Sequence, residues 1–260
     1  MSVDNINSEK IVDIALTAGN EIIRIYEDDN YLKQTKSDNS PLTEADLRAH
    51  NLIVNSLFNE TPQIPVLSEE SIQVPYEERK KWNTYWLVDP LDGTKEFINR
   101  NGEFTVNIAL INNNVPILGV VHAPALGQTW VGQKGKNAIK ITNGFATEIK
   151  VKERKLSEAW KVVGSRSHAG DSLKIFLEGI GDYELVSMGS SIKLCLVAEG
   201  AADIYPRLGP TSEWDTAAAH AVVNSAGGEV VKMDGEKPLE YNKKSLRNPF
   251  FIVRRSKEND

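Results

Sequence analysis

Asp89 and Asp92 stand three residues apart in YWLVDPLDGTKEF (85–97), directly behind the apolar run 85–88. That run, halted at Pro90, reads as a short buried strand that delivers two carboxylates to its exit. Carboxylates held so close repel, and each is driven toward protonation unless something positive lies between them. A metal cation meets that need. Gly93 and Thr94 then open a short helix, whose unpaired N–H groups suit a phosphate. The plainer alternative for the same string is a turn with an Asp cap.

Two other chemistries fail on spacing. A calcium-binding EF-hand loop started at Asp89 needs oxygen ligands at its third, fifth and twelfth positions, where Leu91, Gly93 and Arg100 stand. A haloacid-dehalogenase phosphatase places its nucleophilic Asp two residues before Asp92, and here that residue is Pro90.

Further carboxylates join the pair. Glu69 and Glu70 follow the strand-like IPVLS, which would bring them to the same sheet edge. Asp215 begins the Ala-rich helix of SEWDTAAAHAVVNSAGG, which ends at Gly227 and Gly228. A helix dipole alone favours an acid at that position, but the small residues after it allow close packing against a sheet. Thr43 and Asp46 have the spacing of a capping box at a second helix, with Leu42 and Leu47 as a staple and a turn over 38–41 before it.

The elements that must position these residues follow from periodicity. Apolar residues at helical spacing predict a helix over 8–26, with Ser8 as its cap. FTVNIALI and ILGVVHAP read as strands joined by the polar turn 112–114, and shorter strands continue to EIKV in a largely antiparallel pattern. From about residue 155 strand and helix alternate. The expected organisation is an α+β half over 1–154 and an α/β half over 155–260 forming one compact unit.

Composition sets outer limits. The 260 residues are 40% hydrophobic and 25% charged, ordinary globular values with length enough for a large core. A net charge of -6 argues against a nucleic-acid polymer as partner. The single cysteine, Cys195, permits no intrachain disulfide and reads as a buried free thiol in a reducing compartment. The N-terminus has acidic residues where a secretory leader has basic ones, and no run approaches the roughly 18 apolar residues of a membrane helix. The expectation is a soluble cytoplasmic protein.

Taken together, SDNSPLTEAD, VLSEES, WLVDPLDGTKEFI, GSRSH, GSSIKLCLVAEG and YPRLGPTSEWDTAAAHAVVNSAGG resemble the inositol monophosphatase superfamily. Within it they are most similar to the CysQ-type 3′(2′),5′-bisphosphate nucleotidases. The resemblance covers nearly the whole chain, in order. It implies a layered αβαβα sugar-phosphatase fold and magnesium-dependent removal of the 3′-phosphate from adenosine 3′,5′-bisphosphate, leaving AMP. The sulfated nucleotide as second substrate, lithium inhibition and a role in sulfate assimilation are implied with it. It assigns two or three Mg²⁺ ions to Glu69, Asp89, the Leu91 carbonyl, Asp92 and Asp215, and gives Glu70 to ordering water. It gives Asp46 and Thr94 the activation of the attacking water, and it gives substrate binding to His168, Ser190, Lys193 and Arg207 together with Glu69, Leu91, Asp92, Gly93, Thr94 and Asp215. Some relatives lie peripherally on the inner face of a bacterial membrane, yet no basic amphipathic anchor is visible here. Other members of the superfamily, acting on inositol phosphates or fructose bisphosphate, share the metal ligands; a non-catalytic sensor would not need Asp46 and Thr94.

Overall fold

A computed structural model describes residues 6–28, 33–35, 41–71, 74–155, 157–165, 171–233 and 237–257, with the backbone alone for 33–35 and 41–42. In chain order the elements are α1 (Ser8–Glu27), β1 (Lys33–Thr35), β2 (Pro41–Thr43), α2 (Glu44–Glu60), β3 (Val66–Ser68), α3 (Tyr76–Arg79), β4 (Thr84–Asp92) and α4 (Thr94–Ile98). The strands β5 (Thr105–Asn112), β6 (Val115–Ala123), β7 (Gln128–Gln133), β8 (Ile139–Thr142), β9 (Phe145–Glu148) and β10 (Trp160–Ser165) follow. The chain closes with α5 (Asp171–Ile180), β11 (Tyr183–Met188), α6 (Ile192–Ala198), β12 (Ile204–Arg207), α7 (Ala217–Ser225), β13 (Gly228–Lys232) and β14 (Phe251–Arg255).

The strands β3 to β9 form a seven-stranded sheet in sequence order, antiparallel except for the β3–β4 pair. A five-stranded sheet has the order β11-β10-β12-β14-β13, parallel over its first three strands and antiparallel at β14 and β13. Strand–helix alternation thus sets only the parallel part of this sheet. A small antiparallel pair, β1 with β2, stands apart.

Side chains alternate across a strand, and β4 shows how that decides the layers. Trp86 and Val88 join Ile108, Val120 and the apolar stripes of α1 and α2, including Ile11, Ile22 and Ile53. Tyr85 and Leu87 join Ala109, Trp130, Cys195, Val222 and Phe251, so α6 and α7 lie between the two sheets. Across the second sheet, Val162, Ile204 and Ile252 pack on Leu173 and Leu177 of α5. The layers run helix, sheet, helix, sheet, helix, which is the αβαβα fold expected. Each large apolar side chain fully buried in these interfaces contributes roughly 1.5–3 kcal/mol.

The middle layer sits unusually close to the first sheet. A Cβ at Gly119 would stand 2.0 Å from the Ala218 carbonyl oxygen, and one at Gly132 would stand 2.4 Å from that of Ala221. Glycine in β6 and β7 therefore lets the backbone of α7 rest directly on the sheet.

Local details differ from the sequence expectations in three places. The cap of α1 is Asn7, whose side chain accepts the Glu9 N–H at 2.9 Å, and Ser8 is already helical. β4 does not stop at Pro90 but continues to Asp92 with a register shift between Asp89 and Asp92. β3 ends opposite Val88, so the donor that proline lacks leaves no ladder bond unmade on that side. Asp215 precedes α7, which begins at Ala217. The capping box of Thr43 and Asp46 forms as the spacing predicts, and Asn113 and Asn114 take the left-handed conformations that a tight β5–β6 hairpin requires. The turn over 38–40 and the Leu42 side chain of the staple lie outside the described residues, while Leu47 is exposed. No helix among the described residues is long and apolar enough to cross a membrane.

Candidate active site

Three elements bring carboxylates together at one end of the sheets. Glu69 follows β3, and its N–H donates to the Val88 carbonyl at 3.1 Å, which fixes it alongside β4. Asp89 lies in β4, and its Oδ1 accepts the Leu91 N–H at 3.1 Å across the bulge. Asp215 arrives from the second sheet's side, with Oδ2 accepting the Ser212 N–H at 3.0 Å. Carboxylate oxygens of these three residues lie within 4.8 Å of one another.

Such a cluster is electrostatically unfavourable by itself. Burial first, then the negative charges of Glu69, Asp92, Asp215 and Asp46, hold the Asp89 carboxyl well above the usual carboxylate range. Asp215 is raised likewise, by burial and then by Asp92 and Glu69. Asp92 is pushed up to about 6 by burial, against the pull of Lys193 and of the Ser191 N–H, which donates to its Oδ2 at 2.6 Å. A set made only of oxygen donors, each carrying unbalanced negative charge, fits a hard divalent cation. Asp92 lines the same cleft beside the trio, committed on one oxygen to Ser191. The Leu91 carbonyl also faces this region, accepting the Thr94 hydroxyl at 3.3 Å.

Thr94 connects the carboxylates to α2. Its Oγ1 is 3.3 Å from Asp46 Oδ1 as well as from the Leu91 oxygen, and its single proton can serve one of them at a time. Asp46 is 1% exposed and uses Oδ2 to accept the Thr43 N–H at 2.7 Å and the Thr43 hydroxyl at 2.6 Å. The capping role and the contact with Thr94 thus use different oxygens of one carboxylate. Gly93, with φ of 92°, supplies a left-handed turn between β4 and α4, and a side chain there would press on the Glu103 carbonyl. Glu70 is half-buried and does not line the cleft.

The opposite wall is basic. Lys193 is buried in the first turn of α6, and its Nζ donates to the Ser190 carbonyl and lies 5.7 Å from the Tyr205 ring centroid. Burial pushes its ammonium down to about 8, with Asp92 opposing that shift. Ser190 itself has φ of 44°, a left-handed conformation that turns the chain into α6. Arg207, at the end of β12, donates to the Pro210 carbonyl at 2.7 Å, while its Nε is buried and meets no hydrogen-bond partner among the described residues. These walls enclose a cleft of about 340 Å³, in the size range of small-molecule sites. The geometry therefore gathers Glu69, Asp89, Leu91, Asp92, Gly93, Thr94, Ser190, Lys193, Arg207 and Asp215 around one space. His168 lies outside the described residues.

Sequence reasoning missed Arg247, which lines the cleft from the loop before β14. It also missed Glu103, whose Oε2 accepts the Gly189 N–H at 2.7 Å and so holds the turn that presents Ser190. Neither belongs to a periodic or motif-like stretch, so no local signal marked them.

Known proteins resemble this chain over nearly its whole length. The model of the inositol monophosphatase family matches residues 7–258. The 3′(2′),5′-bisphosphate nucleotidase CysQ of Escherichia coli K12 is 48% identical over 247 residues, covering 94% of this chain and 98% of its own length. The protein of the same name from Haemophilus influenzae is 36% identical over 242 residues, covering 92% and 89%. Among solved structures, CysQ from Bacteroides thetaiotaomicron superposes with a TM-score of 0.86 at 44% identity, covering 96% of this chain and 98% of that one. An IMPase from Thermotoga maritima gives 0.76 at 27%, covering 95% and 91%.

Proposed function

The chain belongs to the inositol monophosphatase family, and from that premise we propose that it is a 3′(2′),5′-bisphosphate nucleotidase. It removes the 3′-phosphate of adenosine 3′,5′-bisphosphate and leaves AMP and inorganic phosphate. The observation that carries this reading is a wall of Lys193 and Arg207 facing a cluster of carboxylates in one cleft, in a chain whose curated relatives at 48% identity bear that name. A cationic wall favours a substrate with a second anionic group rather than bare sugar hydroxyls.

In this reading Glu69, Asp89, Asp92, Asp215 and the Leu91 carbonyl hold two or three Mg²⁺ ions. When bound, Mg²⁺ neutralises the phosphate, lowers the pKa of water and stabilises the charge on attacking and leaving oxygens. The water-ordering role that the resemblance gives Glu70 would be exerted from outside the cleft, which Glu70 does not line. Thr94 Oγ1 accepts a hydrogen bond from the attacking water while donating to Asp46 Oδ1, which aims the water and gives its proton a destination. The N–H groups of Gly93 and Thr94 receive phosphoryl oxygens as charge develops on them. The phosphorus–oxygen bond to the ribose breaks on the opposite side, with the electron pair leaving on the 3′-oxygen, which takes a proton from solvent to become the 3′-hydroxyl of AMP. Ser190, Lys193, Arg207 and His168 hold the rest of the nucleotide. The sulfated nucleotide has the same 3′-phosphate and fits the same scheme.

The test is phosphate release from adenosine 3′,5′-bisphosphate, inositol 1-phosphate and fructose 1,6-bisphosphate by the same preparation, with and without Mg²⁺. The reading expects release that needs Mg²⁺ and a preference for the nucleotide of about a hundredfold in kcat/KM, equivalent to ~2.7 kcal/mol. Comparable turnover of inositol 1-phosphate would leave the carboxylate centre intact and overturn the assignment of the basic wall.

A further inference from the structure

We propose that Arg247 is a specificity-determining residue that binds the phosphate of the substrate which is not hydrolysed, acting with Arg207 as a two-guanidinium clamp; this rests on the nucleotidase reading.

The case begins with the backbone. Arg247 forms an isolated antiparallel bridge with Ser212. On either side the pairing is locked, because the Glu213 N–H donates to the Leu246 carbonyl at 2.8 Å and the Asn248 N–H donates to the Thr211 carbonyl at 2.9 Å. Asn248 Nδ2 adds a bond to the Ser212 carbonyl at 2.8 Å. Ser212 is the residue whose N–H holds Asp215 Oδ2. Arg247 is therefore tied, through one peptide, to a carboxylate of the reacting centre.

The strap that carries it is anchored in the interior. Glu213 is 0% exposed and accepts the N–H groups of Asn242 at 2.7 Å and Lys243 at 3.0 Å. The buried Arg79 guanidinium binds the Asn242 side chain at 2.8 Å. A loop fixed at so many points holds the backbone of its exposed arginine at a defined place, so that only the side chain's own rotamers remain to be ordered on binding.

No hydrogen bond or ion pair engages the Arg247 guanidinium among the described residues, although it lines a cleft whose far side is carboxylate-rich. Arg207 reaches Pro210 on the same segment that Arg247 pairs with at Ser212, so both guanidiniums share one wall. Guanidinium groups present paired N–H donors that match a phosphate dianion. The acidic side of the cleft is matched to cations and the scissile phosphate, and this wall is matched to a second anion.

The test uses full-length Arg247→Gln, Arg247→Lys and, as a control for charge, Lys244→Gln, an exposed neighbour that does not line the cleft. Two quantities are measured with Mg²⁺ present: the ratio of kcat/KM for adenosine 3′,5′-bisphosphate to that for adenosine 3′-monophosphate, and the affinity for AMP, which carries only the second phosphate. Arg247→Gln is expected to lower the ratio by about tenfold or more and to weaken AMP by a similar factor, with Arg247→Lys recovering part of both. Lys244→Gln is expected to leave the ratio where it was. Equal losses on both substrates, or unchanged AMP affinity, overturn the proposal while the nucleotidase reading stands. Failure of the unaltered protein to act on the bisphosphate overturns both.

Discussion

The carboxylate of Asp92 and the main-chain N–H of Ser191 meet at 2.6 Å across 99 residues of sequence. This bond ties the end of β4 to the turn that enters α6, so the acid side of the cleft and its basic wall are held in one register. The same carboxylate draws on Lys193, whose Nζ donates to Ser190. Asp92→Asn should lose activity by about a hundredfold or more, because even groups that only support a metal ligand typically cost ~10–100-fold when removed. The fold should survive, since the amide oxygen of Asn can still accept the Ser191 N–H. Rates and circular dichroism on one sample check this, and near-normal turnover at saturating Mg²⁺ would remove Asp92 from the ligand set.

Asp46 serves the helix cap and the Thr94 hydroxyl through separate oxygens. Thr94→Val removes the hydroxyl and nothing else of that arrangement. It should lower kcat by on the order of a hundredfold with little change in urea stability. Asp46→Ala should lower kcat similarly and also cost ~1 kcal/mol, because the Thr43 N–H loses its acceptor. Equal stability of the two variants would show that the capping box contributes nothing measurable.

Glu213 is the buried acid on which the 242–248 strap closes, accepting two main-chain N–H groups and the Lys243 ammonium at 2.6 Å. Glu213→Gln places an amide donor where donors already converge, which should cost about 1–3 kcal/mol in unfolding free energy. Loosening the strap also loosens Ser212 and Asp215, so the Mg²⁺ concentration for half-maximal activity should rise several-fold. Lost stability with an unchanged Mg²⁺ midpoint would mean that the strap braces the fold without positioning Asp215.

Proton linkage gives a sign for metal binding. Asp92, at about 6, and Asp89 and Asp215, both raised well above the usual carboxylate range by burial and by the carboxylates around them, hold protons in the folded, metal-free chain that the unfolded chain has released. Their contribution to stability is greatest at low pH and falls as pH rises from the ordinary carboxylate value through the folded value. His122 and His220, lowered to about 4 and about 3 by burial, act oppositely and lose stability below their ordinary value. The rise in Tm on adding Mg²⁺ isolates the carboxylates, which must shed protons to bind it. That rise should be larger at pH 7.5 than at pH 5, by thermal unfolding in matched buffers. A rise independent of pH would place the cation elsewhere.

Much of this protein was legible in the chain because the relevant information is local. The strand before Asp89, the capping box of Thr43 and Asp46, the Asn113–Asn114 turn and the apolar stripe of α1 each follow from periodicity or turn chemistry within about ten residues. The family pattern extended that reading to the carboxylates as a set. Tertiary structure decided what no short window contains. Stacking the two sheets around α6 and α7 brought Asp215 to Glu69 and Asp89, and Ser191 to Asp92. The strap's hydrogen bonds carried Arg247 to Ser212. Pro90 could stay within β4 because its neighbouring strand had already ended. Local propensity acts over single turns and strands, whereas these contacts are selected by how whole layers bury their apolar faces.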